Sequence, residues 1–187
     1  ANNANNSTAI ALQTGEFSIG SHSHATISPA MDIQVPSNFE RILYELGEGD
    51  EGARATAINA AYKALKENKE FSISEVVMNN LHQYFGSNYS DDDATRKASI
   101  DCKNNTGEVI CPHTAVGWDA ISKAGNGEKV LLATAHAAKF PETTQEVLGI
   151  HPALPNHAKD LFERKEIYDK MTATEDNIKN YRRAKVS

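Results

Sequence analysis

The sequence has few cysteines, few aromatic residues and no excess of positive charge. Only Cys102 and Cys111 occur among 187 residues, and their spacing does not match a zinc-binding motif. Two thiols without a secretory signal pattern are typical of a reducing compartment, so we expect a cytoplasmic protein rather than a disulfide scaffold. The formal net charge of −6 argues against broad affinity for nucleic acid, which needs a clustered positive field.

Long apolar runs and common catalytic signatures are also missing. No stretch approaches the ~20 apolar residues that a membrane-spanning helix needs, so we expect no membrane partner. The sequence contains no GxSxG, GxGxxG or phosphate-loop motif. His22 and His24 form a His-x-His pair, but they stand in a polar segment without other ligands at a suitable spacing. We therefore expect no metal site.

What the chain does contain is an ordinary globular composition, with 40% hydrophobic and 24% charged residues. Its length suits one domain with a small appendage, and is sufficient to bury roughly 70% of the surface that the unfolded chain exposes. We place the boundary near residue 155, so that residues 1–155 form the main domain and residues 156–187 form a helical extension.

Apolar spacing and capping residues predict about eight helices and hence a mainly helical chain. The predicted starts lie near Ser37, Ala53, Ser74, Asp91, Pro112, Pro141, Asn156 and Thr172, and the loop at residues 1–6 could lead into a further helix near Ser7. Ser37 with Glu40, and Thr172 with Glu175, have the spacing of a capping box. The helix from Pro112 is expected to run to Lys123, before a stop at Gly125.

Strands are scarce in this pattern. The segment KVLLA at 129–133 is the only convincing buried strand, and residues 71–73 and 108–111 are weaker candidates. An α/β protein of this length should show several apolar strands that alternate with helices. Two explanations remain open: the chain is a mostly helical domain, or it is part of an α/β domain whose other strands belong to further sequence.

Three segments combine residue types in an order that neither a core nor a surface requires. They are SPAMDIQVPSNFER at 28–41, CPHTAVG at 111–117 and TAHAAKFPE at 134–142. Thr134 follows the predicted strand, at the edge where open α/β sheets bind ligands, although it could simply end the strand and cap the next turn. His113 could carry a proton near neutral pH, and Thr114 could cap a helix whose free N–H groups hold an anion. Plain capping and packing is the alternative for both.

The first segment offers Ser28, Asp32, Asn38 and Arg41 as polar candidates. Arg41 is suited to a carboxylate or phosphate, because its guanidinium can donate two parallel hydrogen bonds. An arginine on an amphipathic helix is more often solvated, so both interpretations remain open for this residue.

Together the three segments resemble threonine synthases, a family of fold-type II pyridoxal-phosphate enzymes. The family usually has TAHPAKF where this chain has TAHAAKF, and DPHTAVG where it has CPHTAVG, so Ala137 and Cys111 replace proline and aspartate. The run ANNANN at 1–6 matches in part a family run ATNxND, at Asn3 and Asn5. The resemblance extends from residue 2 to about residue 155.

This resemblance implies an α/β fold class: the C-terminal part of a three-layer αβα enzyme, with few strands in this segment. Residues 1–155 would then be the C-terminal part of the catalytic domain. The cofactor would be pyridoxal 5'-phosphate, and the reaction would convert O-phospho-L-homoserine and water to L-threonine and phosphate. Neither Lys129 nor Lys139 has the family's sequence around the Schiff-base lysine, so we expect that lysine, and a glycine-rich phosphate loop, upstream.

The resemblance also implies roles for individual residues. Thr134 would bond the pyridine nitrogen of the cofactor. Substrate contacts are implied at Ser28, Asn38, Arg41, His113 and Thr114. The expected partners are the small-molecule substrate and the upstream half of the enzyme, so this chain alone is expected to be inactive. The alternative is a non-catalytic truncated fragment or an interaction module derived from the same family.

Overall fold

The computed structural model describes residues 1–186, and this part of the chain is mainly helical. Its helices are α1 (Ser7–Thr14), α2 (Ser37–Glu45), α3 (Glu51–Asn68), α4 (Glu75–Tyr84), α5 (Asp92–Thr106), α6 (Pro112–Lys123), α7 (Pro141–Leu148) and α8 (Glu175–Val186). Short 3-10 turns lie at Pro29–Met31, Ala137–Lys139, Asn156–Ala158 and Leu161–Glu163. The strands β1 (Glu16–Ser18) and β2 (Glu70–Ser72) pair antiparallel, with Phe17 opposite Phe71.

The chain divides into two compact units, residues Ala1–Ala153 and the part from Leu154 onward. In the first unit, α1 to α4 and the two strands enclose an aromatic core. The Phe17 ring stacks on the rings of Phe39 and Phe71, with centroids 5.4 and 5.1 Å apart. Leu65 and Leu81 complete the buried cluster from α3 and α4. This core fixes the loop between β1 and α2, which carries the first of the three motifs.

Most helix starts lie where capping residues predict them. Ser74 accepts the backbone N–H of Val77, and Asp91 accepts that of Ala94 at 2.8 Å. Gly149 ends α7 in the left-handed conformation, with φ 66°, as its position after the apolar pattern predicts. Residues 71–73 were predicted as a weak strand, and β2 confirms a strand there.

Both predicted capping boxes are wrong. Ser37 is already helical, and the N-cap of α2 is Pro36, which has no side-chain acceptor. At α8 the cap is Thr174, not Thr172, because the Thr174 hydroxyl accepts the N–H of Asn177. The helix predicted after Asn156 is also replaced by two 3-10 turns, whose short runs bury no side chain.

The predicted buried strand at 129–133 is wrong as well, since no residue from 128 to 134 is paired as a strand. Val130 and Leu132 are 87% and 75% exposed, whereas Leu131 points inward to Gly117 on α6. The alternation is that of a strand, but a strand needs a neighbour to take its backbone hydrogen bonds, and the described residues supply none. The weak candidate at 108–111 is likewise unpaired and leads directly into α6.

The second unit contains α8 and the two 3-10 turns after residue 155. Its described side chains are largely exposed, including Phe162 and Ile167. Within α8 and the preceding segment, Asp169 accepts the hydroxyl of Tyr181 at 2.8 Å and pairs with Lys185. Across residues 1–186, none of the helices combines the length and apolar character that crossing a membrane would require.

Candidate functional site

The N-terminus of α6 is held by an unusual cap, the thiol of Cys111. The Cys111 Sγ accepts the backbone N–H of Thr114 at 3.4 Å and lies 3.2 Å from the Thr114 hydroxyl. Pro112 occupies the first helical position, where the missing N–H has no intrahelical role. Residues 111–116 are all buried. The cap therefore places His113 and Thr114 rigidly at the positive end of a twelve-residue helix.

Thr114 connects this helix end to Thr134. Its hydroxyl oxygen accepts the backbone N–H of Thr134 at 3.3 Å, and the two hydroxyl oxygens lie 3.5 Å apart. Thr134 itself is exposed, immediately before the turn in which His136 caps residues Ala137–Lys139. Thr134 is thus an exposed residue whose backbone the helix end holds in place, and its hydroxyl lies within 3.5 Å of that of Thr114.

His113 is joined to the motif around Ser28 through the backbone of Ala30. The N–H of Ala30 donates to Nε2 of His113 at 3.0 Å, and the Phe140 ring packs against the imidazole with centroids 4.5 Å apart. Nδ1 is buried and has no hydrogen-bond partner among the described residues. Burial lowers the pKa of His113, the charge of Lys139 lowers it further, and Asp32 opposes them.

Asp32 is the centre of a polar network that closes the loop before α2. Its Oδ1 accepts the Thr26 hydroxyl at 2.7 Å and the side-chain amides of Asn3 and Asn5 at 2.8 and 3.1 Å. Its Oδ2 accepts the Thr26 backbone N–H at 3.0 Å. The Asn3 amide also donates to the Ser28 hydroxyl at 3.0 Å. Since Asn3, Asn5 and Ser28 are buried, the network fixes the chain from Thr26 to Asp32 against the first residues.

The network was not predicted from the sequence, although it contains residues that the sequence marked. Ser28 is fully buried, and its hydroxyl is engaged by Asn3 and Thr26. Thr26 was not singled out at all. The available signal was a high density of Asn, Ser, Thr and Asp in two segments separated by an apolar helix, which does not say which side chains pair.

Asn38 and Arg41 lie elsewhere, on the exposed face of α2. Among the described residues, Arg41 makes no ion pair and no side-chain hydrogen bond. It lines an open surface depression of about 440 Å³ together with Glu40, Tyr44 and Asn59. The structure therefore joins Thr114 directly to Thr134, and joins His113 to the segment that follows Ser28 through the backbone of Ala30. It does not connect Asn38 or Arg41 to them.

The donor set at α6 fits a pyridoxal-type ring better than a metal ion. Thr134 offers a neutral hydroxyl, which can meet a pyridine nitrogen without placing a carboxylate beside it. Cys111 places a thiol, not a carboxylate, at the helix cap, and the Nδ1 of His113, one residue before Thr114, has no partner among the described residues. In the described part of the chain, His, Cys, Asp and Glu side chains do not gather in threes as metal ligands would. The ammonium group of Lys129 contacts the other end of α6, where its Nζ donates to the carbonyls of Ile121 and Ala124.

Comparison with known proteins identifies the family that this chain resembles in sequence. Residues 114–181 match the family model "Threonine synthase, C-terminal". A threonine synthase of Pseudomonas aeruginosa is 35% identical over 147 residues, which cover 76% of this chain and 30% of that protein. The chain therefore spans less than a third of the length of that curated relative.

Solved structures show the same similarity in three dimensions. A pyridoxal-phosphate-bound threonine synthase from Brucella melitensis superimposes with a TM-score of 0.84 at 33% identity, over 98% of this chain and 39% of that one. Threonine synthase from yeast superimposes with a TM-score of 0.81 at 27% identity, over 98% and 41%. The predicted fold class, part of a fold-type II enzyme with few strands, is thereby confirmed. Sequence and fold together show that the chain belongs to the threonine synthase family of pyridoxal-phosphate enzymes, and corresponds to the C-terminal portion of its members.

Proposed function

We propose that this chain forms the C-terminal part of an enzyme that converts O-phospho-L-homoserine and water to L-threonine and phosphate. The observation that carries the proposal is the pair Thr114 and Thr134. A helix N-terminus holds the Thr134 backbone, and the residue Thr134 remains exposed. The relatives named threonine synthase support the same conclusion, because they match this chain in sequence and fold.

Bound pyridoxal phosphate supplies an electron sink for negative charge that develops at the α and β carbons of an amino-acid substrate. Thr134 would hold the pyridine nitrogen through its neutral hydroxyl and so set the strength of that sink. Thr114 would keep Thr134 in place through the 3.3 Å bond to its N–H. The role of this chain at the cofactor is thus orientation and electronic tuning, while catalytic bond formation to a lysine is proposed for another part of the enzyme.

The substrate carries a phosphate and a carboxylate, and the remaining candidates suit anionic groups. His113 and Thr114 stand at the positive end of α6, with Lys139 close to His113. Arg41 has a guanidinium free of partners among the described residues, and we propose that it contacts a substrate anion from α2, with Asn38 beside it. The Ser28 hydroxyl already makes hydrogen-bond contacts with Asn3 and Thr26. Ser28 would therefore shape the substrate wall rather than bind substrate directly.

The rest of the catalytic domain, including the lysine that binds the cofactor, would come from sequence upstream of residue 1. The exposed apolar side chains of Val130 and Leu132 are suited to contact with such a partner, because residues 129–133 alternate like a strand without a neighbour. A cytoplasmic location is part of the same proposal, because a chain with two thiols and no disulfide framework is typical of a reducing compartment.

The test is an assay of the protein that contains this chain together with its upstream part. We expect release of one phosphate for each threonine formed from O-phosphohomoserine, and dependence on added pyridoxal phosphate. Substitution of Thr134 by valine should lower both activity and cofactor affinity, whereas serine should retain them. Absence of threonine formation by a folded, cofactor-loaded protein would disprove the proposal.

A second candidate is a non-catalytic module, and one observation favours it. Buried residues between Ala11 and Leu81 enclose an aromatic core of their own, which an independently folded module requires. Intact-mass measurement of the natural protein, with identification of any polypeptide that co-purifies, separates the two candidates. A protein of this length that purifies alone and binds no cofactor would favour the module.

A further inference from the structure

The hydrogen bond between Ala30 and His113 determines where the imidazole proton lies. A backbone N–H can only donate, so Nε2 must present its lone pair to Ala30 at 3.0 Å. A neutral imidazole has one N–H, and in this arrangement it must be on Nδ1. His113 is 9% exposed, and its Nδ1 has no acceptor within the described residues. The side chain is therefore a buried donor that lacks an acceptor.

The surroundings of this donor favour an anionic acceptor. His113 is the second residue of α6, whose N-terminus carries the partial positive charge of a twelve-residue helix. Lys139 contributes a full positive charge from the adjacent 3-10 turn. The negative group nearby is Asp32, whose two oxygens already accept hydrogen bonds from Thr26, Asn3 and Asn5. The local field is thus positive, and the nearest carboxylate is already paired.

We propose that His113 serves as a fixed, neutral hydrogen-bond donor, through Nδ1, to a phosphate or carboxylate oxygen of a ligand at the N-terminus of α6. It is a positioning residue, not a proton carrier, because Ala30 occupies the nitrogen that would have to accept a proton. The Phe140 ring packs against the imidazole with centroids 4.5 Å apart, and Nδ1 is buried, so the proposal requires a local movement that lets a ligand oxygen reach Nδ1. This inference rests on the proposed function only for the identity of the ligand; the tautomer follows from the chain itself.

Nuclear magnetic resonance of the ¹⁵N-labelled 187-residue chain tests the tautomer without any activity measurement. Long-range ¹H–¹⁵N correlation identifies which ring nitrogen carries the proton, and the signal absent from His113→Gln assigns His113 among the seven histidines. We expect a protonated Nδ1 and a bare Nε2 at neutral pH. A proton on Nε2, or on both nitrogens at that pH, would overturn the proposal.

Two substitutions then separate the contacts of the two nitrogens. In His113→Asn the amide nitrogen takes the place of Nδ1, whereas in His113→Gln the amide oxygen can take the place of Nε2 and accept from Ala30. With inorganic phosphate as the probe, and acetate in a parallel titration to represent a carboxylate, asparagine should preserve binding. Glutamine should weaken it by about tenfold or more, because a charge-assisted hydrogen bond is lost.

Equal anion affinity of the two variants, the opposite ranking, or no binding of either anion to the wild-type chain would overturn the donor role. Thermal unfolding shows whether both variants fold. If one does not, the wild-type chain decides the proposal: the His113 Nδ1 signal should shift on titration with phosphate, and an unchanged signal would overturn the donor role. Failure of the proposed enzyme activity is a separate result, because it leaves the tautomer and the anion titrations unchanged.

Discussion

The hydroxyl of Thr114 lies between the start of α6 and Thr134: it accepts the Thr134 backbone N–H at 3.3 Å and is 3.5 Å from the Thr134 hydroxyl. One side chain therefore contacts both the cap of a helix, at Cys111, and a residue twenty positions later that precedes a turn. Thr114 thus holds the backbone of Thr134, whose side chain is exposed and is the part that we propose to contact a ligand. The contact that positions Thr134 therefore involves its backbone, and the proposed ligand contact involves its side chain.

Thr134→Val tests the proposed contact between the Thr134 hydroxyl and the cofactor in the complete enzyme. Valine keeps the branched shape but lacks the hydroxyl, so the pyridine nitrogen would lose its partner at a cost of about 1–3 kcal/mol. Cofactor affinity should then fall by roughly tenfold or more, since ~1.4 kcal/mol is one decade. Equilibrium titration with pyridoxal phosphate measures the change. Thr134→Ser is the matched control and should bind nearly as wild type; equal affinity of valine and wild type would contradict the assignment.

Cys111 gives a second prediction, on the stability of α6. Its Sγ accepts the N–H of Thr114 at 3.4 Å, a weak acceptor in the position of a helix cap. Cys111→Ser supplies an oxygen acceptor and should be at least as stable as wild type. Cys111→Ala removes the cap and should cost about 1 kcal/mol. Urea unfolding with an unchanged m-value measures both. If alanine were as stable as serine, the thiol would not act as a cap.

Local signals account for the parts of the fold that the sequence predicted. Ser74 and Pro112 begin helices through contacts within one turn, and Gly149 ends one by its own left-handed backbone, so neighbouring residues suffice. The strand prediction at 129–133 failed for the opposite reason, because it depended on a distant partner. Its alternating pattern is correct, since Leu131 packs inward and Val130 is exposed, but a strand also needs a partner that no local pattern supplies.

The candidate site was predictable as a set of residues and not as a geometry. The motif resemblance selected His113, Thr114 and Thr134, and these do lie together. It could not show that Ala30 holds Nε2 of His113, or that Asp32 organises the first motif, because both contacts join segments far apart in sequence. The strand β1 was missed for a related reason: three residues with one buried side chain give too little pattern to detect.

Asp32 should contribute strongly to folding through its network. Asp32→Ala would leave the donors of Thr26, Asn3 and Asn5 without their shared acceptor, so we expect a loss of about 3 kcal/mol or more. Hydrogen exchange at the Thr26 and Ala30 amides should accelerate in the variant, since the loop loses its anchor.

Two further substitutions serve as controls for this prediction. Asp32→Asn keeps the shape and one acceptor oxygen, and should fall between wild type and alanine. Glu67→Ala removes an exposed carboxylate that lies 3.9 Å from Lys63, and should change the unfolding free energy by less than about 1 kcal/mol. An Asp32→Ala protein as stable as the Glu67 variant would show that the network adds nothing.

His113 predicts how stability depends on acidity. Burial and the charge of Lys139 lower its folded-state pKa below the ordinary value of 6.5, so the unfolded chain binds a proton that the folded chain does not. The contribution is fully present above pH 6.5 and is lost as the pH falls below that value, by at most about 1.4 kcal/mol per pH unit.

Unfolding free energies of wild type and His113→Gln, measured between about pH 7.5 and pH 5.5, isolate this term from the carboxylates that both proteins share. The wild type should lose more stability than the variant over this interval. Parallel curves would mean that the folded pKa of His113 equals the unfolded one.

Tyr62 predicts that the stability of the fold changes at alkaline pH. Its hydroxyl is buried without a partner among the described residues, and burial followed by the charge of Glu40 raises its pKa to about 12. Because the ordinary value is 10.0, the unfolded state loses this proton first as the pH rises, and stability should decline between pH 10 and about pH 12. Tyr62→Phe keeps the ring, which packs against Phe71 with centroids 5.7 Å apart, and removes the orphaned hydroxyl. At neutral pH the variant should therefore be as stable as wild type or more stable, by up to about 1 kcal/mol.

The matched control for that variant is Tyr84→Phe, because Tyr84 is 71% exposed and its hydroxyl is therefore not a buried group. Unfolding curves at pH 8, 10 and about 11 should show that the free energy of unfolding declines with pH in wild type and in Tyr84→Phe. The decline should be smaller in Tyr62→Phe. The reason is thermodynamic: only a proton held more tightly by the folded state than by the unfolded state makes stability fall as it is removed. A Tyr62→Phe protein that is less stable than wild type at neutral pH would show that the Tyr62 hydroxyl makes a stabilising hydrogen bond in the folded protein.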